Sequence, residues 1–180
     1  LPGPIDVALW DICAKEAGLP LYKYIGAYRD ELPVYASGLF HETVDDYIEE
    51  ALAYKSRGIK IYKAHPPGPY TYDMEIHRKL REAVGDDMVL MSDPVAEYTL
   101  DQAIAAGRGL EKLNYRWLEE PFRDFELYKY KRLCDALDIP IAATETTRGA
   151  HWGVAQVIAQ NAADIVRADV SWKDGITGTL

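Results

Sequence analysis

Cysteine is scarce in this chain of 180 residues, which carries only Cys13 and Cys134. The pair has neither metal-ligand spacing nor the density of a secreted disulfide scaffold, so both classes are excluded and two buried thiols are expected. Long apolar runs are missing as well: nothing approaches the roughly 18 residues that span a bilayer. The opening LPGPIDVALWD lacks the basic region and cleavage pattern of a secretory signal. Positive charge is in deficit, with 20 Lys and Arg against 29 Asp and Glu and a formal charge of −9. No basic stripe interleaved with aromatics offsets that repulsion of phosphate. The expectation is a cytoplasmic protein with no nucleic-acid and no membrane partner. What is present is a core-forming mix, 48% hydrophobic and 27% charged, long enough for one ordinary domain.

Apolar residues at helical spacing open the chain (Ile5, Val7, Ala8, Leu9, Ile12), and Gly18-Leu19-Pro20 supplies the stop. From Pro33 onward a rhythm sets in of a short apolar run, a loop and a longer helical pattern. The runs lie at 33–37, 59–64, 88–92, 115–118, 139–143 and 164–168, and the helical patterns at 43–57, 72–84, 99–110, 125–137 and 150–160. Strands joined by helical crossovers are parallel, and a parallel sheet needs both faces covered. The fold class is therefore α/β. Repeats of near-equal length, nearly every strand ending in an ionisable residue, favour a TIM-like (β/α) barrel over an open sheet, which gathers its chemistry at one switch point. Six strands do not close an eight-stranded barrel and would leave two open edges. The expectation is a portion of a longer protein, with a helical segment over 1–31 and an incomplete barrel, its first six strands, over 32–180.

Three strand-end carboxylates, Asp93 in LMSDP, Glu119 in WLEEP and Glu145 in AATET, are separated by two equal intervals of 26 residues. Each strand-helix unit returns the chain to the same rim, so equal spacing sets the three side by side. A single strand-end acid more often caps a helix or faces solvent. Three together repel by about 4 kcal/mol per pair at 4 Å and intermediate dielectric, a strain that a cation removes. Hard oxygens with nothing soft nearby suit Mg²⁺. Lys63 and His65 stand two residues apart on the second long run, hence on one strand face, where they read as basic groups aimed at the ion. For His65, ahead of Pro66-Pro67-Gly68-Pro69, a loop histidine with no task fits equally well. Asp169 closes the sixth run as a carboxylate that orients a histidine base or as an N-cap. His41, His77 and His151 read as structural or surface residues, and Trp10, Trp117 and Trp152 as packing between helices and barrel. Arg148 reads as an exposed loop arginine within reach of an anionic substrate, and Tyr70 and Tyr72 as residues near the mouth.

The ordered set Lys63-x-His65, Asp93, Glu119-Glu120-Pro121, Glu145 and Asp169 resembles the enolase superfamily, in its mandelate racemase and muconate lactonizing branch. The opening IDVALWDICAKEAGLPLYKYIG is similar to that family's lead from an N-terminal capping domain into the barrel, and DVSWKDGIT to its sixth strand and turn. The resemblance implies Asp93, Glu119 and Glu145 as metal ligands, Lys63 beside the substrate carboxylate, and His65 where many members carry the second lysine of a K-x-K acid/base motif. It implies Asp169 as the acid of an Asp-His dyad, with the histidine past Leu180 and the capping domain ahead of Leu1. The chemistry implied is Mg²⁺-dependent removal of the proton alpha to a carboxylate through an enediolate. Histidine in place of lysine moves that group's ordinary pKa from about 10.4 to about 6.5. A small-molecule carboxylate is the implied substrate, dehydration of an acid sugar the leading reaction, racemisation or epimerisation the alternative. A catalytically silent interaction protein is the reading from another class. The full-length protein is expected to be a homo-oligomer.

Overall fold

The computed structural model describes residues 3–180; positions 1 and 2, which open the expected 1–31 segment, lie outside the described residues. Helix α1 (Gly3–Glu16) and the short α2 (Leu21–Tyr24) precede the sheet. Then come β1 (Ala36–Ser37), α3 (Val44–Ser56), β2 (Ile61–Ala64), α4 (Tyr70–Val84), β3 (Val89–Ser92), α5 (Leu100–Lys112) and β4 (Tyr115–Glu119). The chain continues through α6 (Leu127–Ala136), β5 (Ile141–Ala143), α7 (Ala150–Ala159), β6 (Ile165–Val166) and α8 (Gly175–Thr179).

Local chemistry sets several of these limits. Thr43 and Thr99 each open a helix with a capping box, closed by Asp46 and Gln102, so two otherwise orphaned backbone donors are satisfied at each start. Gly85 ends α4 at a φ of 72°, a turn that any Cβ would strain.

All six strands are parallel and follow one another in the order β1-β2-β3-β4-β5-β6. A doubly wound sheet reverses direction at a switch point. Sequential order without reversal is how a TIM-like barrel wall is built, as the repeat pattern predicts. The main core lies between the sheet and the helices, where Tyr47, Tyr62, Ile76, Leu80, Leu110 and Leu118 are buried. Strand β4 carries a register irregularity, because Leu90 and Ser92 of β3 pair with Tyr115 and Leu118. One extra residue lets Tyr115 face α4 while Trp117 and Glu119 turn to the other side.

Two expectations need correction. Cys13 is exposed and Cys134 only half-buried. Helix α1 buries Gly3 and Ala14 alone, because its partner is the five-residue α8 rather than the wide face of a sheet. Trp117 does not pack helices on the barrel, since the β4 irregularity aims it inward against Tyr35; Trp152 is exposed on α7. Trp10 does bridge elements, donating from Nε1 to Thr177 Oγ1 at 2.9 Å, beside an Asp6 carboxylate that accepts from the same residue's N–H and hydroxyl. No described helix is long and apolar enough to cross a membrane.

Candidate metal centre

Five of the six strands deliver functional groups to the same rim. Lys63 and His65 leave β2, Asp93 follows β3, Glu119 ends β4, Glu145 follows β5 and Arg167 follows β6. One oxygen from each of Asp93, Glu119 and Glu145 gathers within 4.8 Å of the others. Asp93 and Glu119 are buried, and Glu145 is half-exposed at the lip. The backbone beneath them is unusual, for Glu120 and Thr144 hold positive φ angles of 38° and 88°. Non-glycine residues adopt such angles only where surrounding structure imposes them, a frequent feature of functional loops. Here the imposition is visible: Glu120 N–H donates to Ala142 O, Glu120 Oε1 accepts from Glu145 N–H at 2.7 Å, and Thr144 Oγ1 donates to Arg167 O.

Cations stand between the acids. Lys63 Nζ lies 2.9 Å from Asp93 Oδ2 and 3.0 Å from Glu119 Oε2. Arg167 Nη1 bridges Glu145 Oε2, at 2.7 Å, and Glu119 Oε1. Trp117 Nε1 donates to Glu119 Oε2 at 3.0 Å. Burial works against the Lys63 ammonium, yet Asp93 and Glu119 outweigh it and hold its pKa above the ordinary lysine value. Burial likewise pushes Asp93 up, but the His65 hydrogen bond and the Lys63 charge bring it below the usual carboxylate range. Glu120 is raised, first by burial and then by its acidic neighbours.

His65 is held at both ends. Its Nδ1 lies 2.8 Å from Gly38 O, and its Nε2 faces Asp93 Oδ2 at 3.3 Å. Donation from Nδ1 to the carbonyl leaves Nε2 as the nitrogen that exchanges a proton in the cleft. Gly38 is a position where only glycine fits, because a Cβ there would lie 2.4 Å from Tyr62 Oη. Phe40 packs on the imidazole with ring centroids 5.5 Å apart.

Asp169 takes no part in this cluster. Its carboxylate accepts from Ser171 N–H at 2.7 Å, and its carbonyl accepts from Trp172 and Lys173, so it organises the turn after β6. Tyr70 packs against the core and Tyr72 Oη donates to Glu42 O, and neither lines the cleft beside the acids. His77 is buried, and His151 is exposed beside Asp174. Arg167 was not singled out by the sequence, and Trp117 only as packing between helices and barrel. For Arg167 the available signal is its place in IVRAD, where a charged residue follows a strand that delivers to the same rim.

Three hard carboxylate oxygens within one another's reach, with no thiol beside them, suit a divalent ion such as Mg²⁺. Removing acid charge from solvent without compensation is costly, and Lys63 and Arg167 show how strongly this cluster recruits positive charge.

Comparison with known proteins agrees with this arrangement. The family described as Enolase C-terminal domain-like matches residues 46–180. An L-talarate/galactarate dehydratase of Salmonella typhimurium is 36% identical over 98% of this chain and 45% of its own length. The crystal structure of a D-glucarate dehydratase from Agrobacterium tumefaciens complexed with magnesium superposes with a TM-score of 0.92, at 39% identity, over 97% of this chain and 49% of that one. A 3,6-anhydro-D-galactonate cycloisomerase from Zobellia galactanivorans does so with a TM-score of 0.91, at 33% identity, over 98% and 50%. The chain spans about half the length of the relatives it matches. Fold and sequence both place it in the same group: the chain belongs to the enolase C-terminal domain-like family.

Proposed function

We propose that this chain forms the metal-binding part of a lyase that removes the proton alpha to the carboxylate of an acid sugar and expels its beta hydroxyl as water. The observation that carries the reading is the convergence of Asp93, Glu119 and Glu145 with two basic side chains, Lys63 and His65, against them. Protons alpha to a carboxylate are weakly acidic, because their removal concentrates two negative charges on neighbouring oxygens. Asp93, Glu119 and Glu145 would hold a Mg²⁺ ion, which would supply positive charge where that second charge develops. Lys63, kept charged by Asp93 and Glu119, adds an ammonium beside the substrate carboxylate. His65 accepts the alpha proton at Nε2, its ring fixed by Gly38 O. The same proton passes to the departing beta hydroxyl, water leaves, and the enol relaxes to a 2-keto-3-deoxy acid. Asp169 is proposed as the acid of an Asp-His dyad, from its place in the turn after β6, where its carboxylate accepts from Ser171 N–H at 2.7 Å.

The full-length protein is proposed to be a cytoplasmic homo-oligomer, divided here into 1–31 and 32–180. Two free thiols fit a reducing compartment, and the exposed Ile5, Leu9 and Ile12 on one side of α1 fit an assembly that covers them.

Incubation of the full-length protein with Mg²⁺ and candidate acid sugars, assayed for 2-keto acid, tests the reaction. Keto acid formation is the expected result. Exchange of the alpha proton with solvent deuterium in the absence of keto acid would replace dehydration by racemisation or epimerisation on the same site. Failure to bind Mg²⁺ in a calorimetric titration would leave a silent scaffold.

A further inference from the structure

The carbonyl that holds the His65 ring, Gly38 O, belongs to a loop and not to the sheet. Residues 38–41 follow β1 with no regular secondary structure, and His65 Nδ1 lies 2.8 Å from that oxygen. What holds the loop comes largely from α3, where Tyr47 and Glu50 stand three residues apart on one helix face. Tyr47 is fully buried between loop and imidazole: its hydroxyl accepts from His41 N–H at 3.1 Å and donates to His65 O at 2.7 Å. Burial keeps that hydroxyl above the ordinary tyrosine value, so it stays a donor. Half-buried Glu50 accepts from Leu39 N–H, 3.3 Å from each oxygen, and from Tyr62 Oη at 2.6 Å, and its Oε2 faces His41 Nε2 at 3.2 Å. Gly38 N–H donates to Lys63 O at 2.9 Å, and a Cβ at Gly38 would stand 2.6 Å from Glu50 Oε2. Loop amides taken out of water need partners in any protein. The second bond of Tyr47 goes beyond that need, because the hydroxyl that holds the loop also holds the main chain of His65.

We infer that Tyr47 and Glu50 are positioning residues for His65: from behind the sheet they fix the Gly38 carbonyl relative to the imidazole, and with it the tautomer that leaves Nε2 open to a proton. This rests on the reading of His65 as the acid/base group and deepens it. The two fixed points of the ring, its own main chain and its acceptor at residue 38, are both tied to one helix, so neither shifts without the other. Phe40, between the two loop amides that α3 holds, is thereby kept against the imidazole. Among the described residues neither Tyr47 nor Glu50 bonds Asp93, Glu119 or Glu145. Loss of either clamp should therefore reach the proton transfer and leave the metal site intact.

Nitrogen-15 NMR of the histidine-labelled full-length protein in Mg²⁺ buffer reads the tautomer directly, at about pH 8.5, where an ordinary imidazole is neutral. The His65 signals are assigned by their loss in His65→Gln. The wild type is expected to show one tautomer, protonated on Nδ1. Tyr47→Phe and Glu50→Ala are expected to show a mixture of both, and Glu50→Gln, which keeps an acceptor oxygen, to return the wild-type pattern. With D-gluconate and D-glucarate as substrate probes, kcat should fall about 10- to 100-fold in Tyr47→Phe, the scale of a displaced catalytic group, while Mg²⁺ affinity by calorimetry stays unchanged. The wild-type tautomer in both variants, or a Mg²⁺ affinity that falls in step with the rate, overturns the positioning role and leaves His65 as the base. A wild-type ring protonated on Nε2 overturns the base and the positioning together. Tyr47 and Glu50 reach the same loop through different atoms, so one variant decides should the other fail to fold, and the tautomer decides alone where neither acid is turned over.

Discussion

Ser92 and Asp93 are neighbours in sequence and face opposite sides of the sheet, and a buried polar network grows from each. On the helix side Ser92 Oγ bonds His77 Nε2 at 2.8 Å, while His77 Nδ1 meets Tyr115 Oη at 3.2 Å and that hydroxyl donates to His77 O. Burial alone pushes His77 down to about 3, so the ring is neutral at pH 7 and the network carries no charge. On the inner side Asp93, Glu119, Lys63 and Arg167 solve burial by pairing. Neutral, satisfied hydrogen bonds are how a core accommodates polar groups. A buried ionic network is weak evidence for stability, since desolvation cancels much of the attraction. Its retention directly behind one rim therefore points to chemistry.

The comparison breaks most sharply at Glu119. Replacing it with Ala leaves Lys63 one carboxylate short and strands Arg167 beside Glu145. Stability is expected to fall by about 3–5 kcal/mol, the scale of a buried pair losing one partner. Urea unfolding measures the loss, and the stabilisation that Mg²⁺ gives the wild type should vanish in the variant. A variant as stable as the parent would show that the inner network is not energetically coupled.

His77 tests the other side, through pH. Its pKa is depressed in the folded chain, so the unfolded chain takes up the proton first. The stability tied to the neutral ring is complete above about 6.5 and is lost as pH falls from there toward about 3, at up to about 1.4 kcal/mol per pH unit. Asp93, whose pKa is lowered, supports the fold above the ordinary carboxylate value of about 3.9 and fails only below it. The two networks thus release their contributions in different windows. Unfolding curves at pH 7, 6, 5 and 4 should show an early decline that His77→Gln flattens, alongside a fixed cost of about 1–3 kcal/mol from the unsatisfied partners.

The inner rim was legible in the sequence because a barrel converts regular spacing into proximity, so the 26-residue intervals alone brought Asp93, Glu119 and Glu145 to one mouth. Period-two alternation likewise put Lys63 and His65 on one strand face, where both meet Asp93 Oδ2. Alternation fails across an irregular strand: the β4 register shift turns Trp117 inward onto Tyr35, away from the helix packing expected of a large aromatic residue. Arg167 escaped for another reason. Which cation neutralises a carboxylate depends on distances between strands, and a lone arginine two residues before a candidate Asp169 carries no pattern of its own. Cys13 was misjudged because residue type predicts average burial, whereas α1 has only a small partner surface.

Smaller changes sharpen the inner network. Arg167→Met removes a cation shared by Glu119 and Glu145, so the acids repel one another more in chelator. The metal-free protein is expected to lose about 1–2 kcal/mol, less than at Glu119 because the arginine is partly exposed. Mg²⁺ should restore most of it, so the gap between melting temperatures in chelator and in Mg²⁺ widens relative to wild type. An unchanged gap would mean that arginine and metal ion do not answer the same charge.

Lys173 gives the smallest effect and separates burial from pairing. Its side chain is 1% exposed, its Nζ donates to Thr147 O at 3.0 Å, and no carboxylate lies within ion-pair distance among the described residues. Burial lowers its pKa despite the attraction of Glu120, Asp124, Asp169 and Glu145. Lys173→Met removes a desolvated charge and strands one carbonyl, two effects of similar size and opposite sign, so stability at pH 7 should change by less than about 1 kcal/mol. The sign of the pH response is fixed nonetheless. Because the folded pKa lies below the unfolded one, the wild type should gain stability relative to the variant as pH rises toward about 10.4, the unfolded chain then holding the proton that the folded chain has released. A gain of the opposite sign in paired unfolding curves at pH 7 and 9.5 would mean that the distant carboxylates outweigh burial at Lys173, as the adjacent ones do at Lys63.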